Sequence, residues 1–367
     1  MRINIAGTYI GKFGELWEQS LTDLLQEGVR EVLADAQLPE KAVEAIFVAN
    51  KAGGSFNEQR HLGALASEQF AHQPPALRVE AACASGGLAI TAAAQALLSG
   101  LYQTVLVVGV EKMTDVSATV ASSILATAAS REKEYGSTFP SLYAVLANYH
   151  MQQFGTTRHQ LSAVVVKNHA HALDNPKAQF HKAITPEQVE ASPLVAAPLR
   201  LLDCSPISDG VAAVLLTTRE CGRRAALLGF GQGQDTLALM DRADLGTLAA
   251  TTRAAQQAFA RAGLTHQQIQ AAEVHDCFSI AEILAAEDLG FFDKGQAAAR
   301  LTNANAPVIF NPSGGLKACG HPVGATGVKQ VAFLAQAIEA GRFDHALAHN
   351  VGGSGATAVV NILGTTN

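Results

Sequence analysis

The chain repeats itself once, and that repeat limits the fold more than any other feature. Residues 36–45 align with residues 262–271 at an offset of 226. Both stretches read as the end of an amphipathic helix, a leucine, a polar helix cap and a turn into a short strand. Residues 99–106 align with residues 340–347 at an offset of 241. Two matches in the same order, with the same local pattern, predict two related α/β halves. The second half carries the difference between the offsets as extra residues between the matches.

The apolar pattern fills in the first half. Residues 3–10 read as a strand. Leu21, Leu24, Leu25, Val29, Val32, Leu33 and Ala36 have helical spacing. Short strands are predicted at 45–49 and 77–81, and helices at 59–70 and 86–98. Val105-Leu106-Val107-Val108-Gly109-Val110 is the most apolar run. Such runs, alternating with helices, predict a largely parallel sheet covered on both faces. The strand near 102–110 is expected at the sheet edge, as a contact between copies. Beyond residue 112 the periodicity weakens and Ser, Thr, His and Gln rise. Helical pieces are predicted at 140–154 and 159–173, with a helix start at Thr185. A turn-rich return at 201–210 feeds a strand over 212–216. The expected organisation is a first half from 1–111 plus 201–220, an inserted cover over 112–200, and a second half over 221–367.

Composition excludes several function classes. At 367 residues and 48% hydrophobic, the chain is too long for one ordinary core. A net charge of −6 with no Lys/Arg run does not indicate a nucleic-acid surface. No apolar stretch has membrane-spanning length, and no signal peptide is evident. Cysteines 83, 204, 221, 277 and 319 include no Cys-x-x-Cys pair. That argues against a disulfide framework or a zinc site and fits a reducing cytoplasm.

Four stretches carry chemistry. Val79 to Leu88 places Cys83 at a strand-to-helix elbow, where a helix N-terminus favours thiolate. A nucleophile and a small buried hydrophobe both fit this stretch. Asn311 to Gly327 surrounds His321 with glycines and Pro322, which permit close backbone approach to a ligand. A histidine held there beside a thiol acts as its base, against the alternative of a loop-capping residue. His275-Asp276-Cys277-Phe278 ends a predicted buried strand, with Cys277 either an acid/base thiol or a core residue. Val351-Gly352-Gly353-Ser354-Gly355-Ala356 offers backbone N–H groups for an oxyanion hole, or is a plain turn. Strand ends collect sites in doubly wound sheets. A pseudo-twofold packing of the halves would therefore bring these stretches together. Cys319 is a less suitable rival thiol, and Cys204 and Cys221 read as structural.

With these residues the chain resembles the thiolase superfamily. The matching pieces are Cys83-Ala84-Ser85-Gly86, Ser205-Pro206-Ile207-Ser208-Asp209-Gly210, Gly320-His321-Pro322-Val323-Gly324-Ala325-Thr326-Gly327 and the terminal glycine turn. Within it the chain is most similar to the sterol-carrier-protein-2-type and archaeal-type acetyl-CoA C-acetyltransferases. Gly14-Glu15-Leu16-Trp17, Glu111-Lys112-Met113 and His275-Asp276-Cys277-Phe278 support that subgroup. The resemblance implies a thiolase-like α/β fold of two βαβαβαββ halves in an α/β/α/β/α arrangement, with an inserted loop domain.

It also implies a Claisen condensation of two acetyl-CoA to acetoacetyl-CoA, or the reverse thiolysis, through an acyl-Cys83 intermediate. His321 is the implied base, and the N–H groups of Cys83 and Gly352 the oxyanion hole. Many thiolases carry a second cysteine where this chain has Asn350. The sterol-carrier resemblance assigns that role to Cys277 instead, with His275 where others place Asn. No cofactor or metal is implied; CoA and acyl-CoA enter as substrates. Implied partners are a second copy or three further copies of the chain. A small OB-fold zinc protein and a hydroxymethylglutaryl-CoA synthase-like enzyme are also implied. Alternatives are thiolysis of longer 3-ketoacyl-CoA and a weakly active subunit of such a complex. A papain-like protease and a decarboxylating β-ketoacyl synthase fit less well. The chain lacks the local cysteine signature of the first and has the wrong α/β pattern for it; the second shares the superfamily's cysteine but uses two histidines, and a carrier-protein-dependent assay discriminates it.

Overall fold

The computed structural model describes residues 2–303 and 306–365. Its first half contains strands β1 (Ile3–Ile10), β2 (Ala45–Ala49), β3 (Ala76–Val79), β4 (Thr104–Glu111) and β5 (Gly210–Thr217). The second contains β6 (Ala225–Gln234), β7 (Ala271–Glu273), β8 (Ile309–Phe310), β9 (His345–Gly352) and β10 (Thr357–Thr365). The spatial order is β8-β7-β9-β10-β6-β1-β5-β4-β2-β3. Read outward from β1 and from β6, the two halves have one topology. The offsets hold in three dimensions: 226 carries the start of β2 onto β7, and 241 carries the start of β4 onto β9. Even the left-handed helix caps coincide at 226, as Gln37 (φ 52°) and Gly263 (φ 66°).

The sheet is mixed, not largely parallel. β2 runs parallel to β3 and β4, and β7 to β8 and β9. The last strand of each half returns antiparallel, β5 beside β4 and β10 beside β9. The antiparallel β1–β6 pair joins the halves. A second expectation also fails. β4 lies between β2 and β5 with every residue buried, so it is not an edge. The exposed edges among the described residues belong to β3 and β8.

The main helices are α1 (Leu21–Ala36), α2 (Ser85–Leu98), α3 (Phe139–Phe154), α4 (Arg158–Ala172), α5 (Ala249–Ala262), α6 (Ser279–Asp288), α7 (Gly315–Cys319) and α8 (Val323–Glu339). Strand alternation sorts them into layers. Leu106, Val108 and Val110 face outward to the apolar face of α1. Val105 and Val107 face inward to α2 and α8. In the second half Leu347 and Val351 pack outward with α5, while Ala346 and Ala348 face the middle layer. The order is α1, first-half strands, α2 with α8, second-half strands, α5.

The middle layer positions the site. Helices α2 and α8 lead into the equivalent strands β4 and β9 of the two halves, and they cross near their N-termini on glycines. A Cβ on Gly86 would lie 2.7 Å from the Gly327 nitrogen, and one on Gly327 only 2.2 Å from the Gly87 nitrogen. That close crossing sets the residues preceding each helix, Cys83 and His321, against each other.

Candidate active site

Cys83 sits on a strained elbow. Ala82 has φ 52°, a left-handed conformation costing an alanine about 1–2 kcal/mol. Ser85 holds it: its hydroxyl accepts the Ala81 N–H at 2.9 Å and donates to the Ala82 carbonyl at 2.6 Å. The terminal glycine turn closes on the elbow, since a Cβ on Gly352 would lie 2.4 Å from the Ala81 carbonyl oxygen. A cleft of about 790 Å³ opens here, lined by Lys51, Arg60, Arg78, Ala82 and Gly353.

The stretches singled out in the sequence converge. Cys83 Sγ and a ring nitrogen from each of His275 and His321 lie within 4.8 Å of one another. The two imidazoles meet edge to face with centroids 5.0 Å apart. Their surroundings assign opposite tautomers. The Thr326 hydroxyl donates to the Pro322 carbonyl at 2.9 Å, so it accepts from His321 Nδ1–H at 2.7 Å. His321 Nε2 is then a lone pair, and it is buried without a hydrogen-bond partner. Asn350 Oδ1 accepts the Gly87 N–H at 3.0 Å, which turns its amide NH₂ toward His275 Nδ1 at 3.1 Å. His275 therefore accepts at Nδ1 and carries its proton on Nε2. One imidazole is a base and the other a donor. A metal bound at His275 Nε2 would require the proton on Nδ1, facing the Asn350 amide, so the cluster reads as acid/base machinery.

Burial sets the protonation states. It drives His321 down to about 3, helped by the Lys51 cation. It drives His275 well below the usual imidazole range, with His321 and His349 adding to the effect. Both rings are neutral at pH 7. The expected lowering of the Cys83 thiol by its helix is reversed. Burial pushes it up, opposed by Lys51 and by the Gly353 N–H that bonds the sulfur. Cys277 is pushed up well above the usual thiol range by burial and by Cys83, while Tyr143 and the Phe278 N–H favour its thiolate.

The remaining motif residues are scaffolding. Asp209 accepts the N–H groups of Leu16, Met113 and Thr114 and pairs with buried Lys112 at 2.8 Å. Ser208 accepts the His321 N–H at 3.0 Å, and the Ser205 N–H donates to the Cys277 carbonyl at 2.9 Å. Residues 205–209 thus brace both the His321 loop and the Cys277 strand end. Asp276 caps α7 through the Leu316 and Lys317 N–H groups at 2.6 and 3.1 Å. Glu111 receives the Lys51, Ala52 and Gly324 N–H groups, tying β4 of one half to the start of α8 in the other. Cys319 packs with Phe13, Ala172 and Ala178. Cys204 is pushed up to about 12 by burial. Cys221 lies against the outer core of the first half.

Two residues at the site had no signal in the sequence. Lys51 follows β2 and reaches the Leu125 carbonyl at 2.6 Å, near Cys83. Tyr143 comes from α3 in the insertion and stacks on Phe278 with centroids 4.6 Å apart. A lysine after a short strand and a tyrosine in a weakly periodic helix look like surface and core.

Known proteins are similar to this chain over nearly its whole length. Residues 3–220 match the thiolase N-terminal domain, and residues 231–365 the thiolase C-terminal domain-like family. An acetyl-CoA acetyltransferase of Methanothermobacter thermautotrophicus is 44% identical, covering 98% of this chain and 98% of its own. Sterol carrier protein 2 of Homo sapiens is 30% identical over 98% of this chain and 71% of its own length. The solved Ltp2-ChsH2(DUF35) aldolase has the same fold, with a TM-score of 0.84 at 22% identity over 99% of this chain and 98% of its own. Among the described residues no helix is long and apolar enough to cross a membrane. Matched in both halves, and similar over nearly its whole length to an acetyl-CoA acetyltransferase, this chain belongs to the thiolase family.

Proposed function

We propose that the chain is an acetyl-CoA C-acetyltransferase that joins two acetyl groups, or splits acetoacetyl-CoA, through acetyl-Cys83. The observation that carries the reading is the unpartnered His321 Nε2 lone pair beside the Cys83 sulfur. His321 takes the Cys83 proton as the sulfur attacks the thioester carbonyl. Exchange of one thioester for another is nearly isoenergetic, so the step needs little driving force. The N–H groups of Cys83 and Gly352 hold the oxyanion, each worth about 3–4 kcal/mol. CoA leaves as a thiolate and takes the Cys277 proton. Cys277 is then a thiolate, and it removes an α-proton from the second acetyl-CoA. The enolate oxygen meets two donors, His275 Nε2–H and the protonated His321. The first half-reaction thus prepares the second. The carbanion attacks acetyl-Cys83, acetoacetyl-CoA forms, and His321 returns its proton to Cys83.

No metal or redox cofactor enters this sequence. The protein acts in the cytoplasm as a homodimer or homotetramer. It works with a small OB-fold partner; the paired name of the Ltp2-ChsH2(DUF35) aldolase, which has the same fold, is in keeping with a second protein. The test is Cys277→Ala. Labelling of Cys83 by radiolabelled acetyl-CoA survives in this variant, and condensation is lost. Condensation at the wild-type rate would exclude Cys277 as the base.

A further inference from the structure

The reaction proposed above leaves Cys277 as a buried thiolate between two steps, while the protonated His321 that accompanies it is committed to the enolate oxygen. A hydroxyl packed in the same buried cluster as Cys277 meets that need. Tyr143 is 1% exposed, and its ring is fixed against Phe278, the neighbour of Cys277. Its helix is anchored independently of the site. Thr138 and Ser141 form a capping box at one end, and Gly155 ends it in the left-handed conformation at φ 74°. The Tyr143 hydroxyl donates to the Gly353 carbonyl at 3.1 Å, and Tyr143 shares one buried cluster with Cys277 and Phe278. A phenol has one proton to give, so it serves one of these acceptors at a time.

We infer that Tyr143 is a positioning residue for the second half-reaction, whose hydroxyl turns from the Gly353 carbonyl to the Cys277 sulfur when Cys277 becomes a thiolate. This rests on the acetyltransferase reading above. When Cys277 carries its proton, Tyr143 donates to Gly353. When that proton leaves with CoA, the hydroxyl rotates about its C–O bond and donates to the sulfur. When Cys277 accepts the α-proton, the hydroxyl turns back. No bond to Tyr143 is made or broken. Burial holds its own ionisation well above the usual phenol range, so it remains a donor throughout. The groups facing the sulfur are few. Cys83 and Asp276 disfavour its negative charge, and the Tyr143 hydroxyl and the Phe278 N–H favour it. Beyond Tyr143 lies Arg242, bonded to the Ser354 carbonyl at 2.9 Å. Gly353 gives the device a second end: its N–H bonds the Cys83 sulfur while its carbonyl receives Tyr143. One residue of the glycine turn therefore connects the two thiols.

Tyr143→Phe keeps the ring stack and removes only the donor. Two rates are measured on the full-length enzyme: labelling of Cys83 by acetyl-CoA, and exchange of the acetyl-CoA α-hydrogens with deuterated water. Exchange is expected to fall about 10- to 100-fold more than labelling, the span of a lost hydrogen bond to a charged acceptor. Loss of the donor destabilises the thiolate, so the rising pH limb of exchange moves to higher pH, by about one to two units. Equal losses in both rates, or an unmoved limb, would overturn the proposal. A wild-type enzyme showing neither labelling nor exchange would instead defeat the acetyltransferase reading. Alkylation of Cys277 by iodoacetamide in a Cys83→Ser background still tests Tyr143 in that case. Its pH profile, read by peptide mass spectrometry, moves to higher pH with Tyr143→Phe if the inference holds and stays in place if it fails.

Discussion

The two halves share strand order, strand sense and helix placement, and they differ in how the fourth strand connects to the fifth. In the first half residues 112–209 intervene between β4 and β5; in the second only residues 353–356 separate β9 from β10. The long connection supplies a cover and sends Tyr143 into the site. The short one is a glycine turn that lets the chain close on the Cys83 elbow. The equivalent strand ends diverge as well. Glu111 ends β4 with a carboxylate that ties the halves together, while Gly352, at its equivalent in β9, ends the strand with bare backbone. A duplicated scaffold thus places two helix N-termini face to face. Unequal residues at equivalent points then put the Cys83 elbow before one helix and the His321 loop before the other.

The largest effect should come from breaking the crossing on which both halves depend. In Gly327→Ala the new methyl meets the Gly87 nitrogen and Asn350 Oδ1, at 2.2 and 2.3 Å, and neither can yield easily. Helix propensity alone would favour alanine by about 1 kcal/mol. The clash should outweigh it and destabilise the protein by about 3 kcal/mol, as overpacked cores do. Urea unfolding would show a lower midpoint. A midpoint at or above that of the wild type would mean that the helices do not cross here.

A smaller effect should sharpen the contrast between the elbow and the base loop. Lys51 favours the Cys83 thiolate and disfavours protonated His321. Lys51→Met removes a positive charge near the sulfur, so the Cys83 limb should move to higher pH, by about one unit. Iodoacetamide inactivation followed against pH would report it. A shift to lower pH would contradict the assigned sign.

The duplication was legible because each half keeps a helix end, a cap and a strand start at fixed spacing. Gln37 and Gly263 are such equivalents, as are β4 and β9. The site stretches were legible because glycines, prolines and histidines concentrate around Cys83, His321 and Cys277. Strand direction was not. A strand buried on both faces reads alike in a parallel or a mixed sheet, and the sense of β5 depends on how residues 112–209 return. The sheet edge is illegible for the same reason: the apolar run of β4 says that it is covered, not by which neighbours. The direction of the Cys83 thiol shift differs from the local expectation because burial, a property of the assembled layers, outweighs the helix terminus that the local sequence displays. Tyr143 and Lys51 reach the site only through long-range packing, which no local pattern records.

In the proposed reaction Cys83 of one half carries the acyl group, and the second half supplies its base and the second thiol. Incubation of wild-type, Cys83→Ala and Cys277→Ala proteins with radiolabelled acetyl-CoA, followed by denaturation and counting, tests it directly. The account predicts covalent label in the wild type and in Cys277→Ala and none in Cys83→Ala. Label persisting in Cys83→Ala would contradict it.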